Sequence, residues 1–227
     1  MEVNLKKRAT RLSEFYGRVA ETQNKSIIKL ITGNKVLDVG CGYGHLANQL
    51  QRAGYKVAGI DADASSFEIA KKLYNVEIQI NNLYESQIPD ASFDTVVFRE
   101  SIHHFIPIKA LREACRICNR EIIIFDPNPT WILKVARKLI KHYDSVFNPY
   151  DIRKLLEALN FKIEYCGYRD VIAFPLSGGF VGRQLVPRIK VIENIILLFD
   201  MIINLFLEFM GLQFLFCWRY IIKAEKV

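Results

Sequence analysis

No segment of this sequence repeats another and none is low in complexity, so neither a repeat array nor a disordered chain is expected. The opening MEVNLKKRATRLSEFYG has no apolar core of the kind a secretory leader carries, so none is expected. Cysteine is sparse and odd in number. Cys41, Cys115, Cys118, Cys166 and Cys217 are scattered, which suits a reducing, cytoplasmic compartment and not a disulfide framework. The one C-x-x-C, Cys115 to Cys118, falls in a stretch that reads as helix. With no second ligand pair it is taken as two buried thiols, and no metal is expected. There is no N-P-P-Y or D-P-P-Y, and the basic residues interleave with aliphatics more than with aromatics, so no nucleic-acid partner is expected. What the chain does have is apolar mass: 51% of its 227 residues are hydrophobic, enough for a sizeable core. Its net charge of +7 permits an anionic partner without specifying one.

Between residues 35 and 125, short β-branched runs alternate with helical patterns. KVLDVG, KVAGID, VEIQIN, FDTVVF and REIIIFD read as buried strands, while GHLANQLQRAG, ASSFEIAKKLY and IPIKALREACRIC carry apolar residues near the helical period. That alternation predicts a parallel, doubly wound α/β sheet with right-handed crossovers. Further on, NPYDIRKLLEALNF offers an Asn cap and a Pro at the first helical position, followed by the strands FKIEYCGY and FLFCWRYIIKAE. The whole chain, 1–227, is read as a single domain, with 129–145 and 176–212 as helical cap insertions.

The first strand runs into VLDVGCGYGHL, where Gly40, Gly42 and Gly44 follow Asp38 and precede a helix. In an open α/β sheet, ligands bind beyond the carboxyl ends of the strands, and this loop is in that place. A dinucleotide wants G-x-G-x-x-G with a helix amino terminus aimed at its pyrophosphate. Here the third glycine falls at 44, and an acid ahead of the glycines repels a pyrophosphate. The same acid suits a ligand with an ammonium or sulfonium charge, and S-adenosylmethionine is such a ligand.

VLDVGCGYG resembles the first motif of the class I S-adenosylmethionine-dependent methyltransferases, in particular the small-molecule, type 11 group. VAGIDADASSFEIAKK is similar to that family's second strand and helix, IPDASFDTVVFRESIHHF to its fourth strand and following loop, and IIIFDPNP to its fifth strand. The resemblance covers about residues 30–127. It implies a Rossmann-like seven-stranded sheet of order 3-2-1-4-5-7-6 with the last strand antiparallel. It implies contacts to S-adenosylmethionine, or its product S-adenosylhomocysteine, from Asp38, Gly40, Cys41 and Gly42, from Asp61 and Ala62, and from Arg99. Asp61 is there implied to take both ribose hydroxyls, and Tyr16 to act as a lid over the methionine part. The family's acid after strand three is missing from NNLYESQIP, where Asn82 offers an amide oxygen instead, next to Leu83. Glu100, His103 and His104 lie where a base is expected beside the methyl group. Asp63 is read as a helix cap and Asp94 as an anchor for strand four.

The function expected is methyl transfer to a small, hydrophobic or lipid-like acceptor by a monomer or homodimer. The alternatives are a nicotinamide-dependent oxidoreductase and a non-catalytic binder of the same cofactor. Two segments exceed what this fold requires. TWILKVARKLIKHY places Trp131, Ile132, Val135, Ala136, Leu139 and Ile140 on one helical face, opposite Lys134, Arg137, Lys138 and Lys141. VIENIILLFDMIINLFLEFMG puts Glu193, Asp200, Asn204 and Glu208 on one narrow stripe and leaves the rest apolar. Three acids argue against a spanning helix, so the surplus apolar surface is expected to cover an acceptor pocket, a dimer partner or, as peripheral contact, a membrane surface.

Overall fold

The computed structural model describes residues 14–76, 78–80, 82–139, 145–179 and 182–227. Seven strands, β1 (Lys35–Val39), β2 (Lys56–Asp61), β3 (Ile78–Ile80), β4 (Phe93–Arg99), β5 (Cys118–Pro127), β6 (Phe161–Arg169) and β7 (Arg219–Lys226), form one sheet. Their order is β3-β2-β1-β4-β5-β7-β6, as the family resemblance implied. The pairs β1–β2, β1–β4, β2–β3 and β4–β5 are parallel. β7 runs the other way. Its start meets the end of β6, where Trp218 N–H donates to Asp170 O, and its end meets the start of β6, where Val227 N–H donates to Asn160 O.

The helices are α1 (Phe15–Ile28), α2 (His45–Arg52), α3 (Ala64–Tyr74), α4 (Pro107–Ile117), α5 (Trp131–Leu139), α6 (Pro149–Ala158), α7 (Ala173–Leu176), α8 (Lys190–Phe209) and α9 (Gln213–Phe216). Their ends follow local chemistry. Asp63 caps α3 by accepting from the Ser65 hydroxyl and from Ser65 N–H, and these two hydrogen bonds hold its carboxyl below the usual range. Asn148 caps α6 through Tyr150 N–H ahead of Pro149. Asp94 accepts from both Asn34 N–H and Lys35 N–H at 2.9 Å, so it ties the starts of β1 and β4 together.

The chain folds as two compact units. The sheet unit comprises Ile27–Asp126, Phe147–Cys166 and Ile221–Val227. Its core packs Val36, Leu46, Leu50, Val97, Ile123, Phe125 and Ile221 together, and its central strands are buried through nearly their whole length. Buried Glu121 is satisfied there by Thr32 N–H, the Thr32 and Thr95 hydroxyls and Lys223 Nζ at 3.1 Å. Burial works to raise its pKa, but the bonds from Thr32, Thr95 and Lys223 prevail and hold it below the usual carboxylate range.

The helical unit comprises Met1–Ser26, Pro127–Val146 and Gly167–Tyr220. Its core is Phe15, Val19, Leu133, Ala173, Phe174 and Trp218, with Ile132, Ala136, Ile196 and Leu197 packed on it. The face expected for α5 is not the one observed. Arg137 is buried, while Trp131 and Val135 are exposed beside Lys134 and Lys138. The cause is the way α5 docks: Leu133 is its deepest side chain, so the helix is turned from its widest apolar stripe. Ile140 and Lys141 lie outside the described residues. The cysteine pair also differs from expectation, since Cys115 ends a helix turn while Cys118 opens β5. Burial pushes their thiols up, to about 12 and about 11. No helix among the described residues is long and apolar enough to cross a membrane.

Candidate functional site

The carboxyl ends of β1, β2, β4 and β5 lie side by side in register, Val39 beside Ile60 and Phe98, and Arg99 beside Phe125. Each strand delivers one chemically distinct group to that edge, all within the sheet unit.

β1 delivers the glycine loop. Gly40 sits at φ +67°, and a Cβ there would stand 2.7 Å from Ser101 Cβ, so only glycine satisfies both the turn and the close approach. Gly42, at φ +51°, has nothing within 4 Å of its Cβ position, so the loop backbone borders open space on that side. The loop is pinned to β2. Gly40 N–H and Cys41 N–H both donate to Ile60 O, at 2.9 and 3.1 Å, and Gly42 N–H donates to Asp61 Oδ2 at 2.7 Å. Asp61 Oδ1 accepts from Asp63 N–H at 2.9 Å, which fixes the carboxylate's plane at the end of β2 beside exposed Ala62.

Asp38 lies inside the sheet, 1% exposed, opposite Gly59 and Val97. Its Oδ2 has no hydrogen-bond partner. Burial pushes its pKa up to about 7. The Arg99 charge opposes that rise, neighbouring Asp61 adds to it, and a backbone hydrogen bond from Ala47, in the first turn of α2, lowers it. A buried acid with an oxygen to spare, next to a second acid, is a place where a cation is stabilised.

β4 ends in half-buried Arg99, followed by Glu100 at φ +52°, a strained conformation for a residue with a side chain. Two bonds hold it: Glu100 N–H donates to Phe125 O at 2.7 Å, and Ser101 Oγ donates to Val39 O at 2.6 Å. That path feeds the short 3-10 turn Ile102–His104. His103 Nδ1 lies 2.8 Å from Oδ1 of Asp126, which is buried at the end of β5. Asp126 thereby orients the ring, and in the tautomer that donates from Nδ1 the far nitrogen, Nε2, would carry the lone pair of a base. His104 is exposed and its ring lies against that of His103, 4.1 Å between centroids and tilted by 48°.

The structure therefore brings together Asp38, Gly40, Cys41, Gly42, Asp61, Ala62, Arg99, Glu100 and His103 along one edge. His104 is exposed next to His103, and Asn82, Leu83 and Tyr16 stand differently. Asn82 spends its amide oxygen on Tyr84 N–H, at 3.2 Å, to start a 3-10 turn, and Leu83 is buried in that turn. Tyr16 belongs to the helical unit, where it packs on the Phe15 and Phe174 cluster. The Cys41 thiol is pushed far up by burial, with Asp38 and Asp61 adding to the rise, so it is no nucleophile. Two contributors were not singled out from sequence, Ser101 and Asp126. The signal for Asp126 was present in IIIFDPNP, an acid at a strand end, but its pairing with a histidine 23 residues away was not. A cavity of about 390 Å³, lined by Leu37, Ala58, Gln79, Gln87, Ile88, Pro89, Ser92 and Phe93, reaches the start of β4 and is not part of this site.

Comparison with known proteins agrees with this geometry. Residues 37–125 match the family model of a methyltransferase domain. The chain is 35% identical over 95 residues to an uncharacterized methyltransferase, YcgJ, of Bacillus subtilis, covering 39% of this chain and 38% of that protein. It is 34% identical over 93 residues to a ubiquinone biosynthesis O-methyltransferase of Albidiferax ferrireducens, covering 37% and 36%. The matched segments thus span under two fifths of these relatives' lengths. In three dimensions the chain is similar to a SAM-dependent methyltransferase from Archaeoglobus fulgidus, with a TM-score of 0.67 and 18% identity over 92% of this chain and 94% of that one. Residues 37–125 thus match a methyltransferase domain, and the fold that carries them is the one seen in solved S-adenosylmethionine-dependent methyltransferases.

Proposed function

We propose that this chain transfers the methyl group of S-adenosylmethionine to a small, hydrophobic or lipid-like acceptor. The observation that carries the reading is buried Asp38, with its spare oxygen and raised pKa, beside a glycine loop that borders open space at Gly42. Those features fit a cationic adenosyl cofactor. Asp61 suits the ribose hydroxyls, because each of its oxygens accepts one backbone N–H and keeps a second lone pair. Asp38 would favour the cofactor's positive charge, and the backbone of Gly40–Gly42, open at Gly42, would help to hold it. When bound, the cofactor supplies a methyl group already activated by a sulfonium.

What the chain adds is alignment and a base. Glu100 and Ser101, locked to β5 and β1, aim the 3-10 turn, and Asp126 orients His103 so that Nε2 can take a proton from an acceptor hydroxyl. A hydrophobic acceptor is supported by one relative, a ubiquinone biosynthesis O-methyltransferase, and by the apolar surface of this chain's helical unit. Five free cysteines support a reducing, cytoplasmic setting.

The test is transfer of labelled methyl from S-adenosylmethionine into the organic-extractable fraction of a cell extract. His103→Gln should cost about 10²–10⁴ in turnover, and Asp126→Asn a comparable share, with cofactor affinity nearly constant in both. Full turnover in both variants would remove the base from this account.

A further inference from the structure

Helix α8 turns its polar stripe inward. Glu193 is buried and paired with Arg18 at 2.8 Å, Asp200 Oδ1 accepts the N–H groups of Val171, Ile172 and Ala173, and Asn204 donates to Tyr168 O. What faces outward is apolar. Ile195, Leu198, Phe199, Ile202 and Phe206 are all exposed, Phe206 by 60%, and Phe209 at the carboxyl end is 87% exposed. Single exposed apolar side chains are ordinary, but a face running the length of a 20-residue helix is not. The fold has committed Glu193, Asp200 and Asn204 to its own interior, and the exposed polar side chains left on this helix are Lys190 at its start, Asn194, which accepts from Arg18, and Glu208 near the end.

Charge and aromatic placement say what covers it. α5 packs on the same apolar cluster and exposes Trp131, Lys134, Val135 and Lys138, which recur at i, i+3, i+4 and i+7 and so form one face. Lys190, the first residue of α8, is exposed as well. Exposed lysines flanking an exposed Trp on α5, with Lys190 at the start of the long apolar face of α8, are the side chains that the headgroups and acyl boundary of an anionic bilayer take up. A second copy of this chain carries the same net charge of +7 and is disfavoured at this face relative to an anionic surface. We propose that α8 lies in the plane of an anionic membrane surface, its outer face in the acyl boundary, with Trp131, Lys134 and Lys138 at the headgroups. The proposal does not depend on the methyl-transfer reading and can fail without it.

The test is flotation of the full chain with vesicles of phosphatidylcholine alone or mixed with phosphatidylglycerol. The protein should float with the anionic vesicles, less with neutral ones and less at high salt. Each basic residue near the surface is worth about a fivefold factor, so Lys134→Glu with Lys138→Glu should lower the partition by at least about 25-fold. Phe199→Glu with Phe206→Glu should abolish it. A second readout needs no destabilising change: acyl chains brominated near the headgroup should quench Trp131, which is 61% exposed, and not Trp218, which is 7% exposed. Trp131→Phe should then float normally with the quenching gone. No flotation, or equal flotation in all variants, overturns the proposal. A concentration-dependent dimer that Phe199→Glu with Phe206→Glu dissociates, while vesicles are ignored, gives the face to a second copy and overturns it too.

Discussion

Asp38 is the residue at which electrostatics and cofactor choice meet. Its folded pKa, about 7, stands above the ordinary value of 3.8, so the empty protein prefers it protonated. Between about pH 4 and pH 7 the unfolded chain holds fewer protons at this site than the folded one. Stability contributed by the neutral form is complete below the unfolded pKa and is lost as pH rises through the folded pKa, by about 4 kcal/mol at most. A cationic ligand reverses the preference by stabilising the carboxylate. Melting temperature without ligand should therefore fall from pH 5 to pH 8 more steeply than in Asp38→Asn. The shift produced by S-adenosylmethionine should grow over the same range in the wild type. Thermal scans at several pH values check both, and a ligand shift with equal pH slopes in the two proteins would contradict the role given to Asp38.

At the scale of elements, the glycine loop separates fold from function within three residues. Gly40→Ala forces a side chain into φ +67° and against Ser101 Cβ, and should cost about 2–5 kcal/mol of stability. Gly42→Ala meets no protein atom, so it should cost about 1–2 kcal/mol for its φ alone while intruding where the ligand lies. Denaturant unfolding and cofactor titration of the two variants measure the split; equal stability loss with unchanged affinity for Gly42→Ala would contradict it. Much at this scale was legible in the sequence. Strand runs such as KVLDVG and REIIIFD, the caps at Asp63 and Asn148 and the Asp94 anchor are local, and local chemistry sets them. The face of α5 was not legible, because periodicity ranks residues by apolarity while docking buried Arg137 and left Trp131 outside. The polar stripe of α8 was readable, but its inward direction depends on partners such as Arg18, 175 residues away in the chain. The His103–Asp126 pair needed the register of β4 and β5, which no single motif carries.

For the whole molecule, two compact units divide the labour in one chain. The sheet unit holds every group that the strand ends bring to the candidate site. The helical unit holds an apolar outer helix and an exposed lysine face. The central claim is that the sheet unit binds S-adenosylmethionine, and calorimetric titration of the wild type and of Asp61→Ala tests it most directly, with a nicotinamide dinucleotide as the competing ligand. The account predicts binding of S-adenosylmethionine and S-adenosylhomocysteine by the wild type and none of the dinucleotide. It predicts that Asp61→Ala weakens binding by about 1.5–3 kcal/mol through loss of charge-assisted hydrogen bonds to the ribose. No binding by the wild type, or an unchanged affinity in folded Asp61→Ala, would contradict it.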